Sequence, residues 1–211
     1  MKTVITIART FGSGGAAVGR LLASRLGFHY ADRVVLTLAA KRLGLAELEL
    51  SLREERIQSF WDEIRDVFAL GSVEGGYTPP PLDLVSDREI FTQESRIMRS
   101  LTERHDCVVI GRGGCFVFKD HPKAVHVFLH APLRDRVARV MQVHGVATEK
   151  EARRMIGDYD RARSAFRAKL TAEDPGLAAN YHLCIDTGGV ALEQVAEIIR
   201  AYYMAKFGAN A

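Results

Sequence analysis

The feature that most constrains this chain is a glycine-rich turn between a strand-like run and a helix-like run. An apolar, β-branched stretch at residues 4–8 is followed by Gly12, Ser13, Gly14 and Gly15, and then by apolar residues at helical spacing. Successive amides in such a turn can converge on an anion, and the following helix directs its positive dipole end to the same point. The turn is therefore either a phosphate-binding loop or a plain glycine connection.

The turn lacks the lysine that Walker A loops carry. In that pattern a lysine reaches the β- and γ-phosphates, and a Ser or Thr hydroxyl binds Mg²⁺. Gly15 and Ala17 stand at those positions here. A phosphate site would thus be mostly backbone, with a cation from elsewhere, and Arg9 at the end of the first strand is the nearest candidate. The predicted phosphate-binding residues are Arg9, Gly12, Ser13, Gly14 and Gly15.

Composition is that of one compact domain spanning residues 1–211. The chain is 47% hydrophobic, enough for a substantial core, and its net charge of +3 does not indicate a surface for nucleic acid. Arginine outnumbers lysine by 22 to 7. Because the planar arginine fork matches phosphate oxygens, this bias favours a phosphorylated small molecule as the ligand.

No apolar run is long enough for a signal peptide or a membrane span, so we expect a cytoplasmic protein with no membrane partner. The three cysteines are odd in number and lack Cys-x-x-Cys spacing, so they predict neither a disulfide framework nor a zinc site. Cys107 and Cys184 fall at strand-like positions, and we expect both to be small core residues.

Short apolar runs alternate with helical patterns along the chain, without an internal repeat. The strand-like runs are 4–8, 28–31, 107–110, 125–129 and 183–185. The helical patterns are 15–26, 33–43, 87–104, 132–144, 148–170 and 191–206. This alternation predicts an α/β fold with a doubly wound parallel sheet of about five strands flanked by helices. Ligands in such sheets bind at the carboxyl ends of the strands.

One region departs from the alternation. Residues 46–70 have a helical pattern, and residues 71–86 form a long stretch with paired glycines and three successive prolines. Loops of that length are usually functional or disordered. We interpret residues 44–92 as an insertion on one side of the predicted ligand site.

Six motifs, in order, extend over nearly the whole chain. They are residues 5–15, 30–33, 108–113, 127–136, 160–163 and 180–187. Together they resemble the motifs of the cytidylate kinase-like family, a divergent group of P-loop nucleoside monophosphate kinases. The resemblance implies a P-loop kinase fold that uses ATP and Mg²⁺, with a nucleoside monophosphate as acceptor and CMP as the leading candidate.

The resemblance also implies an acceptor site. Arg112 matches an arginine that holds the acceptor phosphate in related kinases, and Asp32 and Arg33 stand where those kinases begin this site. Asp32 suits the N-cap of the next helix equally well, and the two roles are compatible. Asp160 is assigned to the substrate as well. Gly113 replaces an aspartate that helps to recognise the acceptor, which leaves cytosine specificity open.

Residues 145–172 resemble the mobile lid of these kinases, and the arginines assigned to catalysis are Arg161, Arg163 and Arg167. Arg163 and Arg167 are four residues apart and share a helical face. Closing that face over ATP would place guanidinium groups against the charge that develops during phosphoryl transfer. The alternative is a solvated helix with Asp/Arg pairs of small energetic value.

The sequence leaves two alternatives open for each of two further sets of residues, three arginines and two histidines. Arg134, Arg136 and Arg139 follow the fourth strand and either extend the basic surface or are solvated. His126 and His130 lie on one strand face and suggest metal ligands only if a third group converges on them.

Two functions therefore stand beside each other. The first is a nucleotide kinase, favoured by the lid arginines. The second is a nucleotide-binding sensor or partner protein that has kept the fold and lost phosphoryl transfer. It is favoured by Ala16 and Ala17, where the family commonly has Arg-Glu, and by Gly113. The loop then offers no direct Mg²⁺ ligand, and the metal would be held by ATP, water and Asp32.

Overall fold

The structure, a computed structural model, describes residues 2–32, 87–111, 113–170 and 177–208. Its five strands form one parallel sheet in the order β2-β3-β1-β4-β5. They are β1 (Val4–Arg9), β2 (His29–Ala31), β3 (Cys107–Ile110), β4 (Ala124–His130) and β5 (Leu183–Asp186). The predicted α/β fold with a five-stranded parallel sheet is confirmed. The expected helix at 33–43 and most of the 44–92 insertion lie outside the described residues.

Helices connect the strands and flank the sheet. They are α1 (Gly15–Leu26), α2 (Asp87–Arg104), α3 (Gly114–Val117), α4 (Leu133–His144), α5 (Glu149–Leu170) and α6 (Leu192–Phe207). A 3₁₀ turn at Ala178–Asn180 precedes β5. The sequence did not predict α3, because four residues are too few to produce a helical period.

Strand β1 lies at the centre of the sheet, between β3 and β4. Its first residue, Val4, pairs with Cys107 on one side and with Ala124 on the other. Residues 4–7 are buried, as expected for a strand covered on both faces. Because all five strands are parallel, the glycine-rich turn after β1 opens at the same edge as the segments after the other strands.

Helices α1 and α6 pack together against one face of the sheet. Val18 and Leu22 of α1 and Val195 and Ile199 of α6 are fully buried there. A β-carbon on Gly19 would overlap with the side chain of Ile110, so this glycine allows α1 to approach β3 closely. The start of α1 is thereby fixed relative to the sheet edge.

A second core forms between α4, α5 and the glycine-rich turn. Val137 and Val140 of α4 meet Ala152 and Ile156 of α5, and Phe11 from the turn completes the cluster. The predicted lid helix is therefore packed against the loop through apolar contacts, in addition to any charged ones.

The expectation for Cys184 was wrong, while Cys107 is buried as predicted. Strand β5 is an edge strand whose residues alternate between half-buried and exposed, and Cys184 falls on the open face. Burial raises the pKa of the Cys107 thiol, which favours the neutral and unreactive form. None of the helices in the described ranges has the length and apolar character needed to cross a membrane.

Candidate active site

The glycine-rich turn folds as a loop whose side chains mostly point into the protein. Gly12 and Gly14 both have φ near +80°, a conformation that L side chains rarely adopt. The Ser13 hydroxyl is buried and donates to the carbonyl of Thr10 at 2.9 Å, with the carbonyl of Leu129 at 3.3 Å. Ser13 therefore shapes the turn with its side chain, and any contact with a ligand must come from its backbone.

Three successive carbonyls of the loop accept hydrogen bonds from side chains. Arg136 Nε donates to the Phe11 carbonyl at 2.6 Å, and Arg139 Nη1 donates to that of Gly12 at 2.7 Å. Thr187 Oγ1 donates to the Ser13 carbonyl at 2.9 Å. In a trans peptide the C=O and N–H groups point in opposite directions. Holding these carbonyls thus turns the amides of Gly12 and Gly14 to the opposite side, whereas the Ser13 amide donates to the Thr10 carbonyl at 3.4 Å.

The start of α1 presents a set of unused donors. The amides of residues 14–17 have no hydrogen-bond acceptor within the described part of the chain. These are the first-turn N–H groups that every helix leaves unsatisfied, and they lie at the positive end of its dipole. Such a donor set matches the oxygens of a phosphate group.

Arg9 lies directly over the position of the missing lysine. A β-carbon on Gly15 would be 2.8 Å from Arg9 Cγ, and one on Gly111, just after β3, would overlap with Arg9 Nη1. The Arg9 side chain therefore extends from the start of α1 to the end of β3. This geometry places Arg9 beside the glycine-rich turn, and its contact with a phosphate stays a prediction.

A charged pair from α4 and α5 holds both backbone groups of Phe11. The Phe11 amide donates to Asp160 Oδ1 at 2.8 Å, while Arg136 donates both to the Phe11 carbonyl and to Asp160 Oδ2. The Arg136 side chain is 11% exposed and that of Asp160 is 30% exposed, so the pair is partly shielded from water. We call Phe11, Arg136 and Asp160 the Phe11 clamp.

The Phe11 ring adds an aromatic contact to this clamp. It stacks on Tyr159 of α5 with ring centroids 4.3 Å apart and an interplanar angle of 8°. The Arg163 guanidinium carbon lies 5.3 Å from the Phe11 ring centroid, within the range of a cation–π contact. Lid residues thus meet the phosphate loop at one aromatic side chain.

Three lid arginines are assigned to catalysis, and the structure places one of them, Arg163, against the loop. Arg161 instead donates to Asp158 on α5, and its side chain is 77% exposed. The side chain of Arg167 lies outside the part of the helix whose side chains are described. The catalytic roles of all three stay predictions.

The predicted acceptor residues are placed in part. Asp32 follows β2, whose Ala31 pairs with Val109 of β3, so Asp32 and Gly111 lie at the ends of neighbouring strands. Arg33 and Arg112 are outside the described residues. Asp160 has partners in the Phe11 clamp, and its contact with an acceptor stays a prediction.

Sequence reasoning missed the structural roles of Arg136, Arg139 and Thr187. The two arginines were left as solvated or basic-surface residues, yet both donate to loop carbonyls. Their positions beside the buried Val137 and Val140 in the helical pattern were the available signal. Arg134, in contrast, is solvated, with its side chain 91% exposed.

Residues 12–17 of the loop direct no side-chain oxygen at a ligand that could hold Mg²⁺. Ala16 and Ala17 carry no side-chain oxygen, and the Ser13 hydroxyl is directed inward. In the described ranges, no three His, Cys, Asp or Glu side chains are grouped to hold a metal, so no third group joins His126 and His130 there. His126 is buried instead, with Nδ1 2.8 Å from Thr6 Oγ1, and burial lowers its pKa to about 4.

Comparison with known proteins gives matches to kinases over nearly the full chain. The model of the cytidylate kinase-like family matches residues 4–189. A cytidylate kinase from Ignicoccus hospitalis is 26% identical over 199 residues, which are 94% of this chain and 97% of that protein. A uronate isomerase from Corynebacterium glutamicum is 29% identical over 140 residues, which are 66% of this chain and 26% of that protein. The chain therefore spans about a quarter of that relative.

A solved structure supports the fold. An uncharacterized protein from Eubacterium ventriosum is similar with a TM-score of 0.71 at 22% identity, over 97% of this chain and 99% of that one. At this identity the likeness concerns the fold alone. The family match spans the five strands, the glycine-rich turn and α5, and the chain belongs to the cytidylate kinase-like family.

Proposed function

We propose that the protein is a nucleotide kinase that transfers the γ-phosphoryl group of ATP to a nucleoside monophosphate, with a CMP-like acceptor as the first candidate. The observation that carries this proposal is the set of unused amides at residues 14–17, beside the Arg9 side chain, at the carboxyl edge of a parallel sheet. Membership of a nucleotide kinase family supports the same reaction.

On the donor side, the backbone amides bind the phosphate chain of ATP and Arg9 supplies positive charge. Mg²⁺ would be held by ATP and water, with Asp32 as the predicted carboxylate, because residues 12–17 direct no side-chain oxygen at a ligand. Phosphoryl transfer needs alignment and charge neutralisation more than covalent help from the protein. Arg163, and the predicted Arg161 and Arg167, supply this charge from the lid.

On the acceptor side, Arg112 binds the phosphate of the monophosphate, with Asp32, Arg33 and Asp160 as the further predicted contacts. Gly113 lacks the carboxylate that related kinases use at this position, so the base preference must be measured. The uronate isomerase match does not support an isomerase, because it covers only about a quarter of that relative.

The direct test is a panel of nucleoside monophosphates and nucleosides incubated with ATP labelled in the γ-phosphate and with Mg²⁺. We expect transfer to at least one monophosphate, with CMP first, and none to the nucleosides. Labelled inorganic phosphate released without any acceptor product would contradict a kinase.

The second candidate is a nucleotide-binding sensor that no longer transfers phosphate. The inward-facing Ser13 hydroxyl and the two alanines after Gly15 favour it, since they leave residues 12–17 without a side-chain oxygen directed at a ligand. Calorimetric titration with ATP separates the two functions. Measurable ATP binding, combined with no transfer to any member of the panel, would replace the kinase by the sensor.

A further inference from the structure

We propose that Arg9 is the built-in cation of the phosphate loop, and that Gly15 and Gly111 are glycines because its side chain passes over both. The inference rests on the proposed function only in taking the bound anion to be the phosphate chain of ATP. It assigns Arg9 a position between the donor and acceptor sites, in place of the lysine of a Walker A loop.

The first support is the space over Gly15. A β-carbon at this position would lie 2.8 Å from Arg9 Cγ and 3.0 Å from Arg9 Cβ, closer than such atoms approach in proteins. Gly15 is the first residue of α1, and its backbone conformation there does not require glycine. The stem of Arg9 is therefore the reason for glycine, and a lysine at residue 15 would compete with Arg9 for the same volume.

The second support is the position of the Arg9 guanidinium. A β-carbon on Gly111 would overlap with Arg9 Nη1, which places the guanidinium at the end of β3. Gly111 also has φ near +72°, so two constraints select glycine there. Its amide donates to the Ile7 carbonyl at 2.9 Å, which fixes this segment against β1. The next residue along the chain is Arg112, the predicted acceptor arginine.

These two ends give Arg9 a role that differs from that of a P-loop lysine. Its side chain starts beside the donor amides of residues 14–17 and its guanidinium reaches the segment that leads to the acceptor site. Guanidinium stays protonated in proteins and binds phosphate oxygens in a bidentate manner. Arg9 therefore contacts the phosphoryl group that moves between the nucleotides, and it does so without a lysine in the loop.

A double-mutant cycle tests whether the Arg9 side chain excludes a β-carbon at residue 15. Inorganic tripolyphosphate is the probe, and its affinity is measured by calorimetry. The variants are Arg9→Ala, Gly15→Ala and the two combined. We expect each single variant to weaken binding by about tenfold or more, since each removes or displaces one charged donor. Gly15→Ala should cost nothing further once Arg9 is absent, because its methyl group then meets no stem. Equal losses from Gly15→Ala with and without Arg9 would overturn the inference.

A rescue arm adds a second readout. Gly15→Lys in the Arg9→Ala background should restore part of the tripolyphosphate affinity, whereas Gly15→Lys alone should not improve on the wild type. Arg134→Ala is the matched control, because Arg134 is a highly exposed arginine outside the loop and should bind the probe like the wild type. Thermal unfolding of each variant shows whether it is folded, and a variant that fails this test is replaced by Arg9→Gln or Gly15→Ser.

The design separates this inference from the proposed function. Coupling between residues 9 and 15 in tripolyphosphate binding, without transfer to any nucleotide, would support the Arg9 assignment and reject the kinase. Transfer by the wild type with additive effects at residues 9 and 15 would keep the kinase and reject the assignment.

Discussion

Phe11 is the residue at which the glycine-rich turn meets α5, the predicted lid helix. Its amide and carbonyl are bound by Asp160 and Arg136, and its ring lies between Tyr159 and the core of α4 and α5. A small residue at this position would keep the backbone hydrogen bonds but lose the packing. The aromatic side chain therefore ties the conformation of the loop to the position of the lid.

At the residue scale, the Arg163→Ala variant tests the lid assignment. We expect it to reduce phosphoryl transfer by about 10²-fold or more, because a lid arginine acts on charge that develops in the transition state. ATP affinity, measured by calorimetry, should change much less. Arg153→Ala is a suitable control, since Arg153 is an exposed residue of the same helix paired with Glu149. Equal losses of affinity and transfer in Arg163→Ala would contradict the role.

The Phe11 clamp and the core beneath it attach α5, the predicted lid helix, to the glycine-rich turn. The helix contributes Asp160 to the loop backbone and Ala152 and Ile156 to the core below it. Motion of α5 away from the sheet must break the hydrogen bonds that hold Phe11. We therefore expect closure over a ligand to involve the part of the helix beyond Asp160.

The Asp160→Asn variant tests the clamp. It leaves Arg136 partly buried without its anionic partner, so we expect a loss of about 2 kcal/mol in the free energy of unfolding. Hydrogen exchange in α5 should also become faster. Asp158→Asn is the matched control: Asp158 pairs with an exposed arginine on the same helix, and its loss should cost less than about 0.5 kcal/mol. Similar destabilisation by both variants, measured by urea unfolding, would show that the clamp does not stabilise the fold.

The sequence predicts the helices and strands wherever the spacing of apolar residues is regular. It does not predict the contacts between these elements. The helical period located α4 and α5 within about one residue, and the glycine turn located the start of α1. Cys184 was misassigned because a short apolar run does not reveal that its strand lies at a sheet edge. The partners of Arg136 and Asp160 depend on how two helices cross the loop, which no local pattern contains.

The parallel sheet brings the segments after β1, β3 and β4 to one edge, and it buries a histidine, His126, away from that edge. His126 is a buried residue of β4, the strand next to β1. Its ring centroid is 5.2 Å from that of His182, and the charges of His182, Lys206 and His121 all act on it. Burial comes first among the causes that lower its pKa, and His182 adds to the effect. The neutral imidazole is thus part of the folded state.

This burial makes stability depend on pH in a defined direction. The unfolded chain binds a proton at this histidine with a pKa near 6.5, while the folded value is about 4. Since the unfolded state binds more protons between these values, stability falls as pH falls from about 6.5 to 4, by at most about 3 kcal/mol from this residue. His126→Asn, which keeps a polar atom near Thr6 Oγ1, should reduce this fall in urea unfolding series. An unchanged pH dependence in the variant would contradict the assignment, and NMR titration of His126 in the wild type gives an independent check.

The inward-facing carbonyls at residues 11–13 have a consequence for genetics. Main-chain amides cannot be removed by a side-chain substitution, so an alanine scan would affect these amides only where the added methyl group does not fit. What a survey would register is intolerance of volume, because a β-carbon on Gly14 would meet Leu192 at 2.7 Å and one on Gly12 would meet Val140 Cγ2 at 3.0 Å. A map of the tolerated substitutions in this loop would thus record a packing constraint, whereas the proposed function makes anion recognition the selected property.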